Sequence, residues 1–353
     1  MNRRRMMMAQ QAAVVDPYEQ QYLTLTSTDQ NFGDTQFIFS MPSTYTWYYS
    51  LDNGTTWSAL TTSDDITVAC GASMLLKGNG VQQQVGSQIY SGVSASGTYV
   101  VSGNIMSLVY GDDFVGKKTF PATSMNFRAL FSGETELQSA ENLRLPATTL
   151  NSNCYHSMFN GCTAMAKGPS SLPATTLAGN CYYSMFYNCS AMTNTPELAA
   201  ATSVPSYAYY QMFYGCANIT TAPELTATSL TDYAYTEMFR GCSNLVTAPT
   251  ILPATTLTSY CYKGMFRGCS KLTNTPELPA ASLVSNCYAE MFYGCSLVNS
   301  IKCLATSRAA TNNTTNWVNG VAASGTFTKA SSATFWGTGN GDIPSGWTVQ
   351  DAT

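Results

Sequence analysis

Between residues 127 and 306 the apolar positions recur as a unit instead of alternating or running together. The unit is Cys-Tyr-x-x-Met-Phe-x-Gly-Cys, complete first at Cys154, Tyr155, Met158, Phe159, Gly161 and Cys162. Its Met-Phe pair returns at Met185-Phe186, Met212-Phe213, Met238-Phe239, Met265-Phe266 and Met291-Phe292, a period of 27 or 26 residues. A fixed period of this size marks a solenoid, in which no unit buries its apolar side alone and its neighbours supply the missing core. A degenerate first unit ends in Leu130-Phe131 with Glu134 where the second cysteine belongs, so the array has about seven turns.

Within a unit the spacing predicts a short helix and then a short strand. Cys261 and Met265, like Tyr262 and Phe266, are four apart and would share one helical face, and Gly268 suits the left-handed residue that ends a helix. Leu272-Thr273-Asn274-Thr275-Pro276-Glu277-Leu278 then alternates like a strand, but its proline removes a ladder donor. The expectation is an irregular strand, stacked on the next at about 4.8 Å.

Residues 20–126 carry a period of two. Tyr22-Leu23-Thr24-Leu25 alternates, Phe37-Ile38-Phe39 is apolar, and Trp47-Tyr48-Tyr49-Ser50-Leu51 leads through Asp52-Asn53-Gly54 into Thr55-Thr56-Trp57. Asn-Gly between two such runs predicts a hairpin, because a type I′ turn needs positive φ at both central residues. Ile66-Thr67-Val68, Met74-Leu75-Leu76 and Thr98-Tyr99-Val100-Val101 extend the region to a small antiparallel sandwich with connecting strands.

Composition narrows the function classes. Charged residues make up 10% of the 353 and the net charge is -4, against about 25% charged residues in ordinary soluble domains. With Arg3-Arg4-Arg5 the only basic run, a nucleic-acid groove is not expected. No stretch has the length and apolarity of a membrane-spanning helix. The N-terminus lacks the apolar core of a secretory signal, since Gln10 and Gln11 interrupt it. Met6, Met7, Met8, Val14 and Val15 read instead as an anchor packing on a partner subunit, flexible methionines adapting to an irregular surface.

The twelve cysteines are read as thiols. Two cysteines eight apart on a helix would have Cα atoms about 12 Å apart, beyond disulfide reach. Ala208 and Ala234 replace the first cysteine of two units while Cys216 and Cys242 persist, which is not how covalent partners behave. Buried ladders of small apolar side chains are the expected role, with no metal and no cofactor. The lone histidine, His156, shares its repeat position with Tyr183, Tyr210, Thr236, Lys263 and Ala289, so a solvent-facing site is expected there and not a catalytic base. Glu197, Glu224 and Glu277 recur after the repeat proline but form no acid and base pair, and an enzyme is not expected.

Four residues after the His156 position lies a second variable site, occupied by Asn160, Tyr187, Tyr214, Arg240, Arg267 and Tyr293. Together the two sites define a candidate binding stripe of His156, Asn160, Tyr183, Tyr187, Tyr210, Tyr214, Arg240, Lys263, Arg267 and Tyr293. Tyrosine and arginine are over-represented among residues that carry binding energy.

The run Leu-Pro-Ala-Thr-Thr-Leu at 145–150, 172–177 and 252–257, followed by the Cys-Tyr-x-x-Met-Phe-x-Gly-Cys unit and by Pro-Glu-Leu, resembles the BspA-like leucine-rich repeats of surface proteins of gut Bacteroidales and of the crAss-like phages that infect them. The resemblance covers about residues 127–306 and implies an adhesive, non-enzymatic module. The expected fold class is α+β: an N-terminal anchor segment (1–19), a β-sandwich-like domain (20–126), a leucine-rich-repeat-like α/β solenoid (127–306) and a C-terminal cap (307–353). The expected function is that of a phage virion structural protein, a head or tail fibre or a capsid decoration. Its expected partners are other virion proteins through the anchor, further copies of itself, and a glycan or protein of the host surface. A bacterial cell-surface adhesin is the alternative.

Overall fold

The computed structural model describes residues 16–30, 33–40, 46–61, 64–79, 92–121 and 127–353. The N-terminal part is two facing sheets. Its strands are β1 (Leu23–Ser27), β2 (Asp34–Ser40), β3 (Trp47–Ser50), β4 (Ser58–Ala59), β5 (Asp65–Ala69), β6 (Ser73–Gly78), β7 (Gly92–Ala95) and β8 (Tyr99–Asn104), and β9 (Leu137–Arg144) joins them from the repeat region. One sheet has the order β4-β3-β6-β1-β8-β9 and the other β5-β2-β7. The alternation in β2 is complete: Thr35, Phe37 and Phe39 are buried while Asp34, Gln36, Ile38 and Ser40 are exposed, as a half-buried antiparallel strand requires. Phe37 meets Tyr99 of the opposite sheet edge to face at 5.1 Å. The expected hairpin forms between β3 and β4, and Asn53 and Gly54 both have positive φ. The connection is longer than two residues because Ser50 Oγ accepts from the Gly54 amide and donates to Asp52, satisfying a wider loop.

The repeats form a β-solenoid of about seven turns, and the expected helix is absent from every one of them. Residues 153–162 are a chain of overlapping turns. The amides of Cys154, His156, Met158, Asn160 and Cys162 close onto the carbonyls three residues back, while those of Asn153, Ser157, Phe159 and Gly161 reach the next coil at Gly179, Tyr183, Met185 and Tyr187. Half the donors therefore run along the solenoid axis, where an α-helix would have satisfied them all within one segment. Every fourth residue adopts positive φ to allow this, Asn153, Ser157 and Gly161, then Asn180, Ser184 and Asn188, and in the first of these coils Tyr155 does so as well. The side chains follow the same period of four, so Cys154, Met158 and Cys162 share an inward face without any helix.

Inside, each residue stacks on its equivalent. Phe131, Phe159, Phe186, Phe213, Phe239, Phe266 and Phe292 form a continuous ladder with centroids 5.4 to 5.9 Å apart. Tyr155, Tyr182, Tyr209, Tyr235, Tyr262 and Tyr288 form a second, fully buried one. All twelve cysteines are thiols outside any disulfide, and all but Cys70 are buried. The second cysteine of each unit has a bond of its own: the thiols of Cys162, Cys189, Cys216, Cys242, Cys269 and Cys295 donate to the carbonyl of the preceding coil's phenylalanine at 2.9 to 3.1 Å. Alanine can fill the space of the first cysteine but cannot supply this donor, which accounts for Ala208 and Ala234 appearing only at the first position.

The opposite side of each coil holds the short strands, two residues long in the middle of the array, as in the parallel pairs Ser171↔Glu197 and Ser203↔Ser229. Where the repeat proline removes a donor, an asparagine two residues earlier replaces the ladder: Asn194 accepts from the Gly168 amide at 2.9 Å and donates to its carbonyl. Ile301 stands where that proline would be, and there the strands lengthen to Ser300–Cys303, Thr326–Lys329 and Thr348–Asp351, all parallel.

The coils do not stop at 306. Tyr288, Glu290, Phe292 and Gly294 donate to the carbonyls of Asn313, Thr315, Trp317 and Asn319 in the register seen between earlier units. Asn316 and Gly320 hold the expected positive φ. Residues 313–321 are therefore a further coil whose sequence has lost the cysteines, with Trp317 in the methionine position stacked on Trp336 at 5.6 Å.

At the other end β8 pairs in parallel with β9, so the N-terminal sheet runs into the first coil and one core is shared from Leu23 to Trp347. Glu134 sits at this junction, buried, accepting from Ser94 Oγ (2.9 Å), the Ala95 amide (3.0 Å) and Tyr99 Oη (3.3 Å). The five anchor residues proposed above, Met6, Met7, Met8, Val14 and Val15, lie outside the described residues. Residues 16–20 are docked: Asp16 pairs with Arg144 at 2.5 Å, and Asn104 Nδ2 donates to the Glu19 carbonyl.

Two outcomes follow. Thiol titration of the denatured protein is expected to find all twelve cysteines reactive, and six disulfides would contradict the ladder. Cys242→Ala is expected to cost about 0.5–1 kcal/mol more than Cys261→Ala in urea denaturation, the worth of a thiol-to-carbonyl bond.

Candidate interaction surface

The turn-rich side of each coil turns its second pair of side chains outward, and these form columns by the same axial stacking that builds the core. In the first column His156 lies flat on Tyr183 at 4.6 Å and Tyr183 on Tyr210 at 4.8 Å. In the second, Tyr187 lies on Tyr214 at 4.6 Å, and the Arg240 guanidinium covers the far face of Tyr214 at 5.2 Å. A third column was missed from sequence: Tyr207, Tyr233 and Tyr260 stack at 4.7 and 4.6 Å, and Lys263 Nζ lies 5.7 Å from the Tyr260 ring. Its signal was the residue before the first cysteine of each unit, where Asn153 and Asn180 give way to three tyrosines. Tyr207 also contacts Tyr210 at 5.6 Å, so the first and third columns adjoin.

The His156 position was expected to face solvent, and the structure corrects this. His156, Tyr183, Tyr210 and Lys263 are half-buried, and Thr236 and Ala289 are fully buried. Stacking is the cause, because each outer ring covers the next and a small side chain between larger neighbours is roofed over. Thr236 uses its position to donate to the Tyr260 carbonyl at 2.5 Å. Asn160 is half-buried at the start of the second column, its carbonyl accepting the Gly133 amide at 2.7 Å.

Between the columns run the residues of the left-handed position, also missed from sequence. Glu237 accepts from Gln211 Nε2 at 2.7 Å and pairs with Arg240, and Glu290 pairs with Arg267, which covers the Tyr293 ring at 4.7 Å. Gly264 holds this position in the coil between them with φ 59°, no different from Glu237 at 54° and Glu290 at 57°. Its backbone therefore does not demand glycine; a Cβ there would press on Glu237 Cγ at 3.2 Å, so glycine makes room for that side chain.

Burial, with Arg128 adding to it, pushes the His156 imidazole down to about 4. Burial and then Glu237 push the Tyr210 phenol up to about 12, so its hydroxyl remains a donor across the neutral range. At the junction, burial raises the Glu134 carboxyl above its ordinary range against the pull of its three donors. None of these groups is arranged as an acid facing a base. Two of the three carboxylates after the repeat proline are engaged by neighbours, Glu224 accepting from Thr250 and Glu277 pairing with Lys302 at 3.0 Å.

No family model, no curated protein and no solved structure matches the chain.

The pH consequences have opposite signs. His156 has a depressed folded value, so its contribution is intact above the unfolded value near 6.5 and is lost as pH falls toward about 4. His156→Phe keeps the stack and is expected to remove that acid-side loss of thermal stability. Glu134 has a raised folded value, so its contribution is present below the unfolded value near 4.5 and is lost as pH rises through the folded value. Relative to Glu134→Gln, the unfolding midpoint of the unmodified protein should fall as pH is raised from 4 toward neutrality. A parallel pair of curves would show that Glu134 does not titrate across this window.

Proposed function

We propose that this chain is a structural protein of a phage particle, a fibre or a capsid decoration, that presents its solenoid for adhesion to a host surface or to partner subunits. The carrying observation is the contrast between the two faces of one repeat. The inward positions repeat phenylalanine, tyrosine, methionine and cysteine almost without change, while the outward columns pass through histidine, asparagine, tyrosine, arginine and lysine at the same backbone positions. A rigid stack with a varied, half-buried outer face serves recognition better than turnover, since a reacting centre needs a few fixed groups converging on one point.

The resemblance to BspA-like repeats supports the adhesive part of this reading through its motif, while the fold itself is a β-solenoid and not the α/β form that the motif led us to expect. The phage part rests on that resemblance and on the methionine-rich segment before residue 16, which suits docking on another subunit.

Mass spectrometry of gradient-purified particles is expected to find the chain at stoichiometric levels. Deleting residues 1–15 should abolish incorporation while the solenoid stays folded. Recovery of the chain only from bacterial envelopes would replace this reading with a cell-surface adhesin.

A further inference from the structure

The columns hide one part of each aromatic ring and display another. Rings stacked 4.6 to 4.8 Å apart and within 16° of parallel cover each other's faces. The ends of two columns are covered as well, Tyr214 by Arg240 and Tyr260 by Lys263. Along the columns, what the stacked rings present is edges and phenol hydroxyls. An aromatic ring carries negative charge density on its faces and positive on its edge, so the stacks bury the negative part and turn the positive part outward.

The same face carries Arg240 and Arg267, each beside a carboxylate. Arg240 is held between the Glu237 carboxylate and the Tyr214 ring, and Arg267 between Glu290 and Tyr293. Each guanidinium is thus fixed before any ligand arrives, which lowers the ordering cost of binding. The surface offers little that a protein partner would use as an apolar anchor. The ring faces between stacked neighbours are taken, and Val246, Ile251 and Leu297, the large exposed aliphatic side chains among the described residues of 127–306, occupy other repeat positions.

We infer that the three columns bind an acidic polysaccharide lying along the solenoid axis, its carboxylates or sulfates meeting the row of ring edges, hydroxyls and clamped guanidinium groups. This rests on the outer face being the adhesive surface, and it names that surface's ligand. A linear polymer with evenly recurring acidic groups matches a face whose donors recur once per coil.

The test is titration of the full chain with polygalacturonate and, in parallel, with neutral dextran of similar length. Polygalacturonate is expected to bind, and to bind at least tenfold more weakly as salt rises from about 50 to about 500 mM, since screening acts on exposed charges. The double variant Arg240→Gln/Arg267→Gln should weaken binding about tenfold at low salt. A second set, Tyr183→Phe, Tyr187→Phe, Tyr210→Phe and Tyr214→Phe together, retains the stacks and removes only hydroxyls, and a comparable loss is expected with an unchanged near-ultraviolet dichroism band shape. Equal binding of dextran, no binding of polygalacturonate at either salt, or full affinity in both variant sets would each overturn the inference. Particle composition is read separately, so a chain present in particles that ignores polygalacturonate refutes only the ligand class.

Discussion

The axial hydrogen bond between one coil and the next is the interaction on which the rest depends. Because alternate amides of the turn-rich run leave their own coil, each coil must present carbonyls at the same places as its neighbour. That forces a common backbone, and a common backbone brings equivalent side chains into contact. Phenylalanine on phenylalanine, tyrosine on tyrosine and thiol on carbonyl are consequences of this register and then reinforce it. The arrangement costs backbone strain: tyrosine, glutamine and glutamate at positive φ, as at Tyr233, Gln211 and Glu237, each oppose folding by about 1 kcal/mol. The strain is tolerated because each of these three residues is also held by its side chain, Tyr233 in a column, Gln211 by its bond to Glu237, and Glu237 in an ion pair.

The two ends are closed by different means. At the N-terminal end the sandwich lends the array a paired strand, β8 against β9, so the strand of the first coil is not left as an open edge. The substitution of glutamate for cysteine at residue 134 belongs to this junction: the first coil has no preceding phenylalanine carbonyl to receive a thiol, and a carboxylate can instead accept from Ser94, Ala95 and Tyr99. At the C-terminal end the cysteines vanish and indole rings take over, Trp317 covering Tyr288 and Phe292 and itself covered by Trp336.

The repeat, its length, the identity of its core residues and the sandwich before it were legible in the sequence, because burial and period leave direct marks on composition. The helix was misread for a specific reason. A chain of turns with a left-handed residue at every fourth position places Cys154, Met158 and Cys162 on one side just as 3.6 residues per turn would, and spacing alone does not separate the two. The clue was the series Asn153, Asn180 and Asn286, joined by Gly161 and Asn188, residues that favour positive φ. The coil at 313–321 was missed because only Asn316, Gly320 and one large ring survive of its pattern. The stripe was found in two of its three columns; the third, and the carboxylates that fix the arginines, were hidden because a residue's orientation in such a run follows from turn geometry, which sequence periodicity does not report.

The axial bonding pattern also bears on how such a molecule can change over generations. Each coil closes its hydrogen bonds with its two neighbours and with nothing further away, and several coils carry nearly the same stretch of residues, as at 145–150, 172–177 and 252–257. Unequal recombination between such stretches would insert or remove a whole coil with every bond remade. The reach of the outer face is therefore a copy number, adjustable in steps of one coil, while its chemistry is adjustable one side chain at a time.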